Sequence, residues 1–114
     1  MPIVSLRLND IIEASERLRS LLVDVSLEEF ETDWQKQWLV ERGIEIISEA
    51  SRHLPAEMKT RHPDMPWRNI AGIGNILRHN YEHVSAPILY ALVQNKLPAL
   101  EQICRDELAA NPEG

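Results

Sequence analysis

The chain has a single cysteine, Cys104. It cannot close an internal disulfide, which suits a reducing compartment. No apolar run approaches the roughly 18 residues that a membrane span requires. The N-terminus lacks a charged stretch leading into an apolar one, so no secretory leader is expected and the cytoplasm is the expected location. Apolar residues nowhere alternate with polar ones over the length of a strand. No glycine-rich phosphate loop follows a strand, which removes the usual nucleotide-binding folds. No serine or cysteine triad can be read from the pattern, and with one cysteine there is no zinc-ligand spacing. No cofactor and no metal are therefore expected. Repeats and low-complexity segments are absent as well.

What is present is a chain of 114 residues, 44% hydrophobic and 26% charged. That length fits one domain, 1–114, and a modest core to which a subunit interface would add. The net charge of −6 argues at first against a nucleic-acid partner. Its distribution is uneven. Residues 1–51 carry 5 basic and 11 acidic side chains, whereas 52–83 carry 5 basic and 3 acidic, and all four histidines. If the protein meets a phosphate backbone, 52–83 is the segment expected to do so. A solvated face of no particular function gives the same charge count.

The apolar spacing is helical throughout. Leu8, Ile11, Ile12, Ser15, Leu18, Leu21 and Leu22 form one stripe. Ser26-x-x-Glu29 reads as a capping box that starts a new helical segment near Leu27. Trp34, Trp38, Ile44, Ile47 and Ala50 continue a second long helix to about His53, ended by Leu54-Pro55. Residues 54–66 hold three prolines and read as a connector with one helical turn at 56–61. Pro66 suits the first turn of a third long helix, with Asp64 a nearby cap. A fourth helix is expected over 86–94, a turn at 95–98 and a last helix to about Ala109. The fold class is an all-α, up-and-down antiparallel bundle. The three tryptophans read as core or interface aromatics.

The chemistry concentrates in the third helix, 66–83. Two glycines inside it, Gly72 and Gly74, cost about 1 kcal/mol each against alanine. Either another backbone approaches closely there or the helix is locally weak. Arg78, His79, Tyr81 and His83 follow. Histidine exchanges protons near neutral pH and arginine grips phosphate oxygens in a fork. With a hydroxyl nearby, these are the parts needed to cleave RNA without a metal: a base for the ribose 2′-OH, a cation for the phosphate, an acid for the leaving oxygen. By spacing alone the signal is weak, and such a cluster is more often a polar surface or interface. His79 and His83, at i and i+4, share a face that can bind a metal, but nothing else in the chain completes a known metal motif. Glu45 and Glu49 lie on one face of the second helix, either solvated or paired with Arg78 or Arg68.

Ordered anchors run along nearly the whole chain: Leu27-Glu28-Glu29-Phe30 with Asp33, then residues 44–50, Leu54-Pro55, the run from His62 to Gly72, and Asn75-x-x-x-His79-x-Tyr81. On these the chain resembles the HepT-like branch of the HEPN superfamily. The resemblance implies a homodimeric helical bundle with its site in the cleft between subunits. It implies a metal-independent endoribonuclease toxin whose partner antitoxin is a minimal nucleotidyltransferase. Such a partner can transfer AMP to the tyrosine of the His-x-Tyr motif, silencing the toxin. Carried over by position, His79 is the catalytic histidine, Tyr81 the modifiable tyrosine, and Asn75 the asparagine usually found after the catalytic arginine. The pattern is Arg-x4-His-x-Tyr, and the arginine position here is Gly74. Arg78, one turn on, is the expected replacement cation. His83 and Arg68 are secondary candidates. The other reading is a relative without nuclease activity that binds the nucleotidyltransferase.

Overall fold

The protein is described by a computed structural model, which covers residues 3–79 and 85–111; the side chains of Ile3, Arg78 and His79 fall outside this description. Within it the chain is all helical: α1 (Ile3–Leu21), α2 (Leu27–Glu31), α3 (Trp34–Arg52), α4 (Ala56–Thr60), α5 (Trp67–His79), α6 (Ala86–Asn95) and α7 (Leu97–Ala110). No helix among the described residues is long and apolar enough to cross a membrane.

Local chemistry sets most boundaries. Ser26 caps α2: its hydroxyl accepts from the Glu29 amide at 3.1 Å, while the Glu29 carboxylate accepts from the Ser26 amide at 3.3 Å. This is the expected capping box. The second long helix is, however, divided. After α2 the chain turns at Thr32, and Asp33 caps α3 by accepting from the Lys36 amide at 3.0 Å. Side-chain capping by Asp competes with helix continuation, and an apolar pattern does not register the break. Ser85 caps α6 in the same way, with Pro87 in its first turn. Lys96 alone separates α6 from α7, a tighter turn than expected.

The core is one cluster. α1 contributes Leu8, Ile11 and Leu18, with Leu22 just after it, α3 contributes Val40, Ile44, Ile47 and Ala50, and α7 contributes Leu97, Leu100 and Cys104. Phe30 seals it from α2, with its ring 5.8 Å from that of Tyr90, whose hydroxyl donates to the Val25 carbonyl at 2.6 Å. Burial pushes the Cys104 thiol up to about 12, so it is neutral and no nucleophile. Two tryptophans are not in this core. Trp34 is 58% exposed and Trp38 65%, in edge contact with each other at 4.9 Å. Trp67 packs at the margin of the core and donates its indole N–H to the His62 carbonyl at 3.0 Å.

The connector before α5 is tied to α7. Glu107 of α7 accepts from Arg61 at 2.7 and 3.1 Å and lies 2.7 Å from the His62 ring. Its carboxylate is only 11% exposed. The Arg61 guanidinium above all, and His62 beside it, hold the Glu107 carboxyl down at about 2 against the ordinary 4.5. A depressed carboxyl stabilises the fold above the unfolded value, and the contribution is lost as pH falls from about 4.5 towards 2. Glu107→Gln is therefore expected to lower the unfolding free energy at pH 7 by about 2 kcal/mol, allowing for the solvent around Arg61. Urea melts at pH 7 and pH 2 check this: the wild type loses most of that increment by pH 2, and the variant does not.

Candidate functional site on the fifth helix

α5 buries Ile70, Gly74 and Leu77 against the bundle and leaves Arg68, Asn69, Asn75 and Ile76 exposed. Its neighbour along most of its length is α3. The seam between them is polar at one point. The Ser48 hydroxyl, fully buried, donates to the Ala71 carbonyl at 2.8 Å and accepts from the Gly74 amide at 3.1 Å. Arg52, one turn further along α3, donates to the same Ala71 carbonyl from Nε at 3.2 Å and Nη2 at 2.9 Å.

This seam explains one of the two glycines. A Cβ at Gly74 would lie 2.6 Å from the Ser48 Cβ and against its hydroxyl, with the Glu45 Cα at 3.9 Å behind. Close approach of a neighbouring helix is thus the reason for Gly74. Gly72 is different: a Cβ there would meet nothing within 4 Å. No contact among the described residues accounts for it.

Of the residues expected to carry the chemistry, Asn75 is exposed on α5 and Arg68 is exposed near its start. Arg78 and His79 form the last two residues of α5, with side chains outside the described residues. Tyr81 and His83 lie outside the described residues altogether. Glu49 lies 2.9 Å from the His53 ring and 3.9 Å from Arg52, and Glu45 lies 4.0 Å from Arg42. None of these three contacts reaches Arg68. The basic stretch 52–83 is partly spent internally: Arg52 on α5, Arg61 and His62 on Glu107. Among the described residues no group of three or more His, Cys, Asp or Glu side chains is placed to hold a metal ion.

Ser48 and Arg52 do not stand out from the sequence alone. The only signal is a small polar residue, Ser48, on the stripe of α3 that also carries Ile44, Ile47 and Ser51. A polar side chain on a buried stripe has to find a partner, and the α5 backbone is that partner.

Comparison with known proteins fits this arrangement. The family model described as ribonuclease HepT-like matches residues 11–107, which takes in all of α5. A probable ribonuclease HepT of Thermococcus cleftensis is 36% identical over 82% of this chain and 86% of its own length. A putative RNase of Caldanaerobacter subterraneus is 32% identical over 89% of this chain and 90% of its own. Another, from Methanocaldococcus jannaschii, is 30% identical over 83% and 87%. No solved structure matches. With a family match over most of its length and these relatives covering at least four-fifths of it, the chain belongs to the ribonuclease HepT-like family.

Proposed function

We propose that the protein is a metal-independent endoribonuclease of the toxin type, acting in the cytoplasm as a homodimer with its site between subunits. The observation that carries this reading is the family match over residues 11–107, with relatives named as ribonucleases. In the proposed step the 2′-oxygen of a ribose attacks the adjacent phosphorus and the bond from phosphorus to the 5′-oxygen breaks. His79 takes the 2′-OH proton and returns a proton to the leaving oxygen. Arg78 holds the charge on the phosphate and Asn75 orients the group. Tyr81 lines the site and is its switch. A partner nucleotidyltransferase transfers AMP from ATP to the Tyr81 oxygen with loss of pyrophosphate. The added phosphate then repels the RNA phosphate from the same place. The exposed Trp34, Trp38, Leu39 and Ile46 on α3 support a subunit interface, because apolar surface of this kind is commonly covered by protein.

A second reading has one observation in its favour. Gly74, five residues before His79, has neither a side chain nor room for one beside Ser48. On that reading the chain is a non-catalytic module that binds the nucleotidyltransferase. Purified protein incubated with total RNA in EDTA separates the two. Fragments ending in 2′,3′-cyclic phosphate and 5′-hydroxyl support the ribonuclease. Intact RNA, from a protein that binds the nucleotidyltransferase tightly, supports the module.

A further inference from the structure

We propose that Arg52, on α3, is a phosphate-binding residue of the ribonuclease site. This rests on the ribonuclease reading above. Three features of the α3–α5 seam carry it.

The first is position. A helix carbonyl points towards the C-terminus, so the Ala71 oxygen lies beside the turn that holds Gly74 and Asn75. Arg52 is bound to that oxygen. At 100° per residue, Ala71, Asn75 and Arg78 fall within about 60° of one another on α5. The Arg52 guanidinium thus stands on the line of residues leading to Arg78, beside a turn where Gly74 has no side chain. Ala71 and His79 are eight residues apart, about 12 Å along the axis. A phosphate held by Arg52 is therefore about two phosphates away from the scissile one on the same strand.

The second is spare capacity. A guanidinium has five N–H donors. The Ala71 carbonyl takes Nε–H and one from Nη2. The Glu49 carboxylate is 3.9 Å from Nη1, too far for a hydrogen bond, and lies 2.9 Å from the His53 ring. The outer Nη1–Nη2 edge is the forked end that fits a phosphate.

The third is preorganisation. The exposed Arg52 side chain is held by two hydrogen bonds to one carbonyl. Little rotamer freedom is left to lose when an anion arrives. A solvated surface arginine with no such anchor has no comparable advantage.

The test uses the full chain as wild type, Arg52→Ala, Arg52→Lys and His79→Ala. The substrates are a fluorescent single-stranded RNA and its uncleavable 2′-O-methyl counterpart. Arg52→Ala is expected to lower kcat/KM about 10- to 100-fold, mostly through KM. It should reduce the slope of log affinity against log salt for the 2′-O-methyl strand by about 0.7, the value of one phosphate contact. Arg52→Lys should recover part of the affinity, and added guanidinium should restore Arg52→Ala but not His79→Ala. A purely structural role for Arg52 would move the melting temperature without changing the salt slope or giving guanidinium rescue, and that result overturns the proposal. So does wild-type cleavage and salt dependence in Arg52→Ala, while His79→Ala is dead. If the wild type itself neither cleaves the RNA nor binds the 2′-O-methyl strand, the ribonuclease reading falls and the role of Arg52 with it.

Discussion

Gly74→Arg, which puts an arginine at the position where the resemblance to the HepT-like family leads one to expect it, is expected to damage the fold rather than repair the site. The new Cβ would stand 2.6 Å from the Ser48 Cβ, a separation real side chains do not tolerate. Neither neighbour is the free end of a long chain. Ser48 is fully buried and bonded to two backbone groups of α5, so it has nowhere to turn. α3 and α5 would have to part, exposing Ile44, Ile47, Ile70 and Leu77 to water. Overpacking of this kind costs about 3 kcal/mol, a large share of the 5–15 kcal/mol typical of a domain. Chemical denaturation of the single variant measures it. The double variant Ser48→Gly with Gly74→Arg removes both clashing atoms. It should recover about two-thirds of the loss, the remainder reflecting glycine in α3 at about 1 kcal/mol. A coupling energy near zero between the two positions would contradict the packing described here. Gly72 is the internal control. With nothing within 4 Å of its Cβ, Gly72→Ala should stabilise α5 by up to about 1 kcal/mol.

That pair of glycines marks where sequence reasoning stops. Both violate helix propensity equally, and the sequence asks the same question of each. The answer depends on what lies opposite. For Gly74 this is Ser48, 26 residues away, and no local pattern joins them. Local signals were readable: the Ser26–Glu29 capping box, the proline-bound connector and the α1 stripe are all where short-range chemistry puts them. The Asp33 cap was not, because the residues on both sides of it continue an apolar pattern and the break is made by one side chain. The tryptophans could have been assigned better. Val40, Ile44, Ile47 and Ser51 define the buried stripe of α3, and Trp38 sits about 200° from Val40 on the same helix. Hydrophobic character suggested core or interface, and angular position rules out the core of this subunit. The candidate site was legible as a set of residues on α5, since Asn75, Arg78 and His79 follow one another within it. The contribution of α3 was not, because Arg52 and Ser48 acquire their meaning only when the two helices meet.

The largest functional effect is expected from His79→Ala. A positioned proton donor and acceptor contributes about 100- to 10,000-fold to a reaction of this class, and the described residues of α5 offer no second histidine to share that work. Cleavage of RNA by the variant should fall by that factor. Expressed without a partner, the wild type should arrest growth with loss of RNA, and the variant should do neither. Because His79 is the last residue of α5, alanine there keeps the helix it ends. The variant should therefore stay soluble, with the melting behaviour of the wild type. Asn75→Ala provides the scale. Asn75 is exposed and carries no charge, so its loss removes orientation but neither proton transfer nor phosphate neutralisation. A fall of about fivefold is expected, as for one hydrogen bond of roughly 1 kcal/mol. If instead His79→Ala and the wild type arrest growth alike, the toxicity has another origin. If both are harmless and soluble, the loss of a side chain at residue 74 has ended the chemistry, and binding to the nucleotidyltransferase is the function left to measure.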